Sequence, residues 1–406
     1  MFRVSQAIPH GRAAPGWLAA LATLLSLFLS ACSGGNSAGE FLSNLSNSPQ
    51  PAPAQSTASI GTGRVKVGLI LPLSGSGNAG IAAQSMRNAA EMALAEYNSQ
   101  DIQLLVKDDG GSATGAQQAA QQAIDEGAEI ILGPLFALTV GPVGQVARTR
   151  GIPVIAFSTD ANVAARGVYL LSFLPESDVE RIISFAASQG KRSFAALVPD
   201  NAYGTVVEGA FKQSVGRHNG RVVALEHYPL DRTQMQGPAR NVALAAKGAD
   251  AIFIPDGADA VPTVVQALIA SGIDTKRVQL MGTGLWEDPQ ISSTPALEGA
   301  WYAGPDSTGF RNFSARYRTR YGQDPVRTAT LAYDAVSLVV GLVKANGPHH
   351  FTDDVLTNAS GFAGIDGIFR FRPDGTNQRG LAVLRVTSSG GQVVSPAPKS
   401  FTGSGT

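Results

Sequence analysis

Residues 65–75 read VKVGLILPLSG, and this stretch decides the fold. Its β-branched and leucine side chains predict a buried strand over Val65–Leu71, and the alanine-rich segment 79–97 predicts a helix directly after it. A second strand is expected at 102–106 and a second helix at 114–126. Strands that alternate with helices in this way indicate a parallel sheet with helices on both faces.

The same alternation continues outward from this stretch and then restarts. Strands are expected at 129–132 and 153–157, and again at 194–198, 221–228, 251–254 and 278–281. We therefore predict an α/β fold with two lobes, each a parallel sheet flanked by helices, and a hinge between them. The first lobe would comprise 64–174 and 305–345, and the second 175–304 and 346–394, with a disordered tail over 395–406. The chain would cross between the lobes near Pro175, Pro305 and Gly347.

The beginning of the chain has the pattern of an export signal. Arg3 and Arg12, with no acidic residue, precede a mostly apolar run over 17–31 that ends in small residues. This order is typical of a secretory signal peptide, and the run is shorter than the roughly 20 residues needed to span a bilayer. The sequence therefore predicts a signal peptide over 1–31.

The only cysteine of the chain follows this run directly. Leu29-Ser30-Ala31-Cys32 resembles a bacterial lipobox, in which a signal peptidase cuts before the cysteine and lipid is attached to it. The resemblance implies lipidation of Cys32; an ordinary thiol or an uncut hydrophobic anchor is the alternative. Residues 32–63 are rich in Ser, Asn, Pro, Gln, Gly and Ala, which predicts a flexible tether.

Composition limits the function classes. The chain has 406 residues, 44% hydrophobic and 15% charged, with a formal net charge of zero. This length accommodates two domains at roughly 150 residues each, and the neutral balance gives no electrostatic reason to expect nucleic acid as a partner. Because Cys32 has no second cysteine to pair with, a hydrophobic core must stabilise the protein.

Polar loops follow the predicted strands. They lie at 72–77, 133–135, 158–160, 199–204, 255–257 and 282–284. Ligands of open parallel sheets bind beyond the carboxyl ends of the strands, and helices that begin there leave free backbone N–H groups. The loops can therefore hold a carboxylate or another polar group, although each loop taken singly is also explained as a turn that needs small residues.

Two motifs match enzymes without the context that an enzyme needs. Residues 75–80 fit G-x-G-x-x-G, but Pro72-Leu73-Ser74 lengthens the turn before them. Ser188-Gln189-Gly190-Lys191 fits S-x-x-K but lacks the K-T-G and S-D-N companions. The five histidines show no metal-ligand spacing. We therefore expect no enzyme, no cofactor and no metal site.

The order of motifs along the chain resembles the type I periplasmic solute-binding proteins, the leucine-binding class of receptors that serve ABC importers. The resemblance extends over nearly all of residues 66–375. The matching motifs are Gly68-Leu69-Ile70-Leu71-Pro72-Leu73-Ser74-Gly75, Asp108-Asp109, Gly133-Pro134, Gly151-Ile152-Pro153-Val154, Asp200-Asn201-Ala202-Tyr203-Gly204, Tyr321-Gly322 with Pro325, Ala332-Tyr333-Asp334-Ala335 and Phe362-Ala363-Gly364-Ile365-Asp366-Gly367.

Within that class, one part of the chain is similar to the penicillin-binding-protein activator lipoproteins, which stimulate a peptidoglycan synthase. The similar segments are Ile155-Ala156-Phe157-Ser158-Thr159-Asp160, Gly167-Val168-Tyr169, Val179-Glu180-Arg181-Ile182 and Phe194-Ala195-Ala196-Leu197. The lipobox fits this subgroup as well as it fits a tethered transport receptor.

The resemblance also implies which residues bind ligand. Amino-acid-binding members contact the ligand carboxylate with a serine where this chain has Ala137, and hold its ammonium with an acidic residue in the turn that here reads Gly282-Thr283-Gly284-Leu285-Trp286. A buried ammonium without a counter-charge is costly, so Asp160, Asp256 or Glu287 would have to substitute. The candidate ligand-binding residues are Ser74, Ser158, Thr159, Asp160, Tyr203, Asp256 and Trp286, with Trp286 as a flat apolar wall.

Two functions follow as expectations. The first is a lipid-anchored receptor that captures a small polar solute, amino-acid-like or peptidoglycan-derived, for an inner-membrane ABC permease. The second is an activator that regulates a peptidoglycan synthase by protein contact. Either protein would lie in the periplasm of a Gram-negative bacterium, anchored to the outer or the inner membrane.

Overall fold

A parallel five-stranded sheet forms around the stretch that opens the fold. In the computed structural model, which describes residues 59–229, 231 and 234–401, β1 (Val65–Leu71) is buried over its last five residues. Its neighbours are β2 (Ile102–Asp108), β3 (Ala128–Leu132), β4 (Val154–Ala156) and β5 (Val168–Leu170). The strand order is β2-β1-β3-β4-β5, and every pair is parallel. Because both faces of such a sheet are covered, β1, an interior strand, is an almost continuous apolar run.

Three helices connect these strands: α1 (Asn78–Glu96), α2 (Ala113–Asp125) and α3 (Ala137–Thr149). The side chain of Ser112 starts α2 by accepting a hydrogen bond from the Gly115 amide at 3.1 Å, which satisfies one of the N–H groups without an intrahelical partner. The alanines Ala116, Ala119 and Ala120 on α2 are buried between the helix and the sheet. Their small side chains let α2 lie close to the strands and to α3.

The second sheet is mixed. Its parallel strands are β6 (Ser193–Pro199), β7 (Arg221–Tyr228), β8 (Ala251–Phe253), β9 (Gln279–Gly282) and β10 (Trp301–Gly304). The helices around them are α4 (Pro175–Ser188), α5 (Ala202–Arg217), α6 (Gln236–Ala245), α7 (Val261–Ala270) and α8 (Pro289–Ser292). The chain returns at its end as a hairpin that pairs antiparallel with β10. The predicted two-lobed α/β fold is confirmed, except that the second sheet is not wholly parallel.

After β10 the chain goes back to the first lobe. α9 (Ser307–Tyr321) buries Phe313 and Tyr317, and the amide of Asn88 on α1 donates to the Tyr317 hydroxyl at 3.1 Å. α10 (Ala329–Asn346) packs along α1. The basic and aromatic residues of 310–321 therefore belong to an amphipathic helix on its own lobe.

The third crossing between the lobes comes later than predicted. Beyond α11 (Asp353–Leu356), the strands β11 (Phe362–Gly364), β12 (Gly367–Phe371) and β13 (Asn377–Arg379) form a separate antiparallel sheet. Leu356, Phe369 and Phe371 lie in the core of the first lobe. The chain therefore crosses after Arg379, not near Gly347, and 346–379 belongs with the first lobe. Only β14 (Ala382–Thr387) and β15 (Gly390–Ser395) complete the second sheet.

The two ends of the described region are also more ordered than predicted. Ile60, assigned to the tether, pairs with Leu104 of β2 in an antiparallel bridge. At the other end, Arg181 donates to the Ser395 hydroxyl, and the Arg370 guanidinium lies 4.6 Å from the ring centre of Phe401. Ser395 and Phe401 thus contact the rest of the protein. The predicted signal peptide, Cys32 and the tether up to residue 58 lie outside the described residues.

We expect Phe313→Ala to lower the free energy of unfolding by about 3–5 kcal/mol, since it leaves a cavity in the core of the first lobe. Leu244→Ala, at a side chain that is 60% exposed, is the control and is expected to change stability by less than about 1 kcal/mol. Urea denaturation of both variants measures this. Equal losses would contradict the assignment of Phe313 to the core.

Candidate ligand-binding site

The first lobe contributes the loops after β1, β3 and β4 to the candidate ligand-binding site. The Ser74 amide donates to both carboxylate oxygens of Asp108, at 3.2 and 3.1 Å, so its backbone is fixed at the end of β2 while the residue is exposed. α3 begins at Ala137, and no side chain caps it. The first amides of such a helix can donate to an anion.

The three candidates after β4 have different roles. Ser158 is buried, and its hydroxyl accepts from the Asp160 amide at 3.1 Å. Asp160 in turn accepts from the Asn162 amide at 2.9 Å and so caps a short helix. Thr159 between them is exposed. Ser158 and Asp160 therefore stabilise the turn through hydrogen bonds to backbone amides, and Thr159 is exposed to solvent.

In the second lobe, Tyr203 and Asp256 are held beside each other. The hydroxyls of Tyr203 and Thr283 are 3.1 Å apart and share a hydrogen bond. Asp256 accepts from the Tyr228 hydroxyl at 2.6 Å and from the Gly257 amide at 2.7 Å. Burial raises the pKa of Tyr203, and the charge of Asp256 raises it further. Tyr203 is therefore a neutral hydroxyl beside a fixed carboxylate.

Trp286 does not form an apolar wall of the cleft, the space between the two lobes at the carboxyl ends of their strands. The side chain is 1% exposed and lies in the core of the second lobe. Its ring packs on the backbone of Gly282, where a β-carbon would be 2.1 Å from Trp286 Cε2. The neighbouring Leu285 is 48% exposed instead. The prediction for Trp286 was wrong because the short helix Gly284–Trp286 turns the indole inward.

Asp178, which the sequence analysis did not single out, supplies an acidic group to the turn after β9. Its Oδ2 accepts from the Gly284 amide at 2.9 Å across 106 residues of sequence. A β-carbon on Gly284 would lie 3.2 Å from the same oxygen. The carboxylate at the start of α4 thus lies against the turn after β9, and the turn 282–286 has no acidic residue of its own. Acidic residues in the first turn of α4 were the available signal.

The surroundings of Asp178 make it a group that can change charge near neutral pH. Burial raises the pKa of Asp178 to about 7, although its bond to Gly284 and the charges of Arg379 and Arg327 lower it. Burial also raises the pKa of Glu176, and the charge of Asp160 from the first lobe raises it as well. One carboxylate oxygen of Glu176 is buried without a hydrogen-bond partner among the described residues. These acidic groups can hold a cation such as an ammonium group.

An ion pair between the partly exposed Arg327 and the buried Asp366 lies close to these acidic groups. Arg327 Nη2 is 2.6 Å from Asp366 Oδ1, and Arg327 Nη1 is 2.9 Å from Asp366 Oδ2. The guanidinium lies 4.8 Å from the ring centre of Phe173 and 4.5 Å from that of Phe310. Nearby, Arg379 Nε donates to the Ser172 carbonyl at 2.9 Å. These contacts join the segments beside all three crossings between the lobes.

Two α/β lobes with polar loops at the carboxyl ends of their strands define the class of two-lobed solute-binding proteins. The chain belongs to the periplasmic binding protein family, which matches residues 64–392. In the part of the chain that the structure describes, no helix is long and apolar enough to cross a membrane. Over the same residues no cluster of His, Cys, Asp and Glu is arranged to hold a metal.

Solved structures share the fold at low sequence identity. A branched-chain amino acid ABC transporter periplasmic ligand-binding protein from Burkholderia xenovorans is 18% identical, with a TM-score of 0.68 and coverage of 84% of this chain and 97% of that one. An ABC transporter substrate-binding protein from Desulfitobacterium hafniense, in complex with Leu, is 18% identical, with a TM-score of 0.60 and coverage of 81% and 99%.

A curated relative matches a smaller part of the chain. The penicillin-binding protein activator LpoA of Vibrio cholerae is 29% identical over 111 residues, which are 27% of this chain. The match spans only 18% of the length of LpoA.

We expect Asp178→Asn to change how stability depends on pH. The folded protein keeps the Asp178 proton up to about pH 7, whereas an aspartate with the ordinary pKa of 3.8 releases it. Wild-type stability therefore falls as pH rises between these values, and the variant lacks this contribution. The stability of Asp178→Asn relative to wild type is expected to rise over that window and to stay constant above it.

Urea denaturation at a series of pH values measures this difference. Asp101→Asn, at an exposed aspartate, is the matched control and is expected to follow the wild-type pH dependence. A relative stability of Asp178→Asn that is independent of pH would contradict the raised pKa.

Proposed function

We propose that this protein is a lipid-anchored receptor that captures a small polar solute between its two lobes and delivers it to an ABC-type permease in the inner membrane. The observation that carries the proposal is the Asp178 carboxylate on the Gly284 amide. This carboxylate supplies an acidic partner for a ligand cation, because the turn after β9 has no acidic residue of its own.

The charges on the two sides of the cleft favour an amino-acid-like or peptidoglycan-derived solute. The second lobe offers Asp178, Glu176 and Asp256, which suit an ammonium group. The first lobe offers the uncapped start of α3, which suits a carboxylate even though Ala137 stands where a serine is implied. A ligand that has both groups would contact both lobes.

Contact with both lobes explains how binding would produce a signal. A ligand that touches the two lobes at once stabilises the closed arrangement by its differential contacts. Glu176 of the second lobe is already close enough to Asp160 of the first for their charges to interact. A cation between them would relieve this repulsion and so favour closure.

The family and the motif at the start of the chain support the proposed location. Membership of the periplasmic binding protein family supports a periplasmic protein. Leu29-Ser30-Ala31-Cys32 supports lipid anchoring, with 32–58 as the tether. Several acyl chains would hold the protein firmly on a membrane, since each buried methylene contributes about 0.8 kcal/mol. Mass spectrometry of the N-terminal peptide tests the lipidation, and an unmodified Cys32 would refute it.

A thermal-shift screen against amino acids, short peptides, sugars and muropeptides tests the receptor function. A ligand at about a hundred times its dissociation constant adds about 2.7 kcal/mol of stability. For the solute found, Asp178→Asn is expected to weaken binding about tenfold or more, because a hydrogen bond to a charged group is lost. Affinity for a cationic solute should also rise with pH towards and above 7, as Asp178 loses its proton.

The controls separate the cleft from the fold. Asp101→Asn is expected to bind like wild type, and Tyr203→Phe should lose only the contribution of the hydroxyl. A solute whose affinity is unchanged in Asp178→Asn and is independent of pH would contradict the assigned ammonium site. No shift with any member of the panel would contradict the receptor function.

The partial match to LpoA favours a second candidate function. The 111 matched residues support an activator that contacts a peptidoglycan synthase through its surface. Pull-down with a purified synthase tests this function. Capture that is equal for wild type and Asp178→Asn would support an activator that needs no cleft ligand, and an absence of capture would refute it.

A further inference from the structure

A cavity lies at the opposite end of the first lobe from the candidate ligand-binding site. It has a volume of about 580 Å³ and lies between the amino ends of β3, β4 and β5, the end of α3 and the segment 349–353. The cleft lies at the carboxyl ends of the same strands, so this cavity is a separate feature. Its volume is within the roughly 300–1,000 Å³ typical of small-molecule sites.

The two carboxylates of this cavity already have partners. Glu129 Oε2 is 3.2 Å from His350 Nε2. Asp353 Oδ1 accepts from the Tyr169 hydroxyl at 2.7 Å, and Asp353 Oδ2 is 3.5 Å from Arg166 Nε. Both acidic side chains are therefore already paired and have little tendency to bind a further cation.

The cations of the cavity are much less engaged. Arg148 is exposed, and its guanidinium makes no hydrogen bond or ion pair with any residue within the described ranges. The Arg166 side chain is 91% exposed and has only the long contact to Asp353. A guanidinium presents five donors in a fixed fork, a geometry that matches carboxylate and phosphate. Arg148 therefore presents an unpaired guanidinium at the rim, and Arg166 beside it is held only by the long contact to Asp353.

The floor of the cavity is formed by His350. The residue is 7% exposed, and its two ring nitrogens contact the Gly347 carbonyl and the Glu129 carboxylate. Glu129 is therefore paired with His350 at the floor, whereas the Arg148 guanidinium at the rim has no acidic partner among the described residues.

The remaining wall is apolar. Ile152, Pro153, Val168 and Phe351 line it, and the backbone at Gly167 adds no side chain. A ligand that reaches this wall therefore needs a compact apolar body beside its charged group.

We propose that this cavity binds a small organic anion that carries a carboxylate or a phosphate group on a compact apolar body. Arg148 and Arg166 hold the anionic group at the rim, and the body packs on Ile152, Val168 and Phe351. The site is independent of the solute that the cleft takes, so a ligand here can be bound while the cleft is empty.

Isothermal titration of the full chain with phenyl phosphate and with benzoate tests the proposal, the two anions distinguishing phosphate from carboxylate. Benzyl alcohol is the uncharged control. At least one anion is expected to bind in the millimolar range or tighter, and Arg148→Gln should weaken it about tenfold or more. Arg150→Gln, at an exposed arginine that does not line the cavity, is the matched control and should bind like wild type.

Hydrogen exchange locates the bound anion. Protection confined to 148–153 and 349–353 supports the proposal, and so does unchanged affinity in the cleft variant Asp178→Asn. No binding of either anion would overturn it. Equal affinity in Arg148→Gln and wild type would overturn it, as would protection confined to the turn 282–286, because the anion would then occupy the cleft.

Discussion

The ion pair of Arg327 and Asp366 joins distant segments of the first lobe, and the packing of that lobe beside its crossings depends on it. Asp366 is buried and follows β11, Arg327 precedes α10, and the guanidinium lies against the rings of Phe173 and Phe310. Phe173 and Phe310 adjoin the first and second crossings, whereas Arg327 and Asp366 come from segments further along the first lobe. Removal of Arg327 would be destabilising, because the buried Asp366 carboxylate would be left without compensation.

Two arginines near these contacts also affect the candidate ligand-binding site. Arg327 and Arg379 act on Asp178 through space and offset part of the effect of burial. Burial raises the pKa of Asp178, and a neutral carboxyl holds an ammonium group poorly. The two arginines and the Gly284 amide lower the pKa again, so Asp178 can ionise near neutral pH.

The parts of the fold that depend on local pattern were predictable from the sequence. The strand expected at 221–228 has the observed bounds of β7, and the helix expected at 79–97 differs from α1 by one residue at each end. Hydrophobic periodicity and glycine at the turns determine such elements within a few residues.

The site and the crossings depend instead on contacts between distant residues. The pairing of Asp178 with Gly284 spans 106 residues and leaves no local signature. Trp286 is apolar and aromatic in either orientation, and only the absence of a side chain at Gly282 admits it to the core. The position of the third crossing depends on the packing of Phe369 and Phe371 in the core of the first lobe. The sequence predicts a strand there but does not indicate to which lobe the strand belongs.

The return of α9 and α10 to the first lobe has a consequence for biogenesis. Asn88 of α1 bonds to Tyr317, 229 residues further along the chain, and the same core needs Phe369 and Phe371. A chain that emerges from a translocation channel amino end first cannot finish this core until nearly all of it has passed. If the chain is exported as proposed, folding of the first lobe must therefore follow transport, and the early segments would stay extended and within reach of chaperones until then.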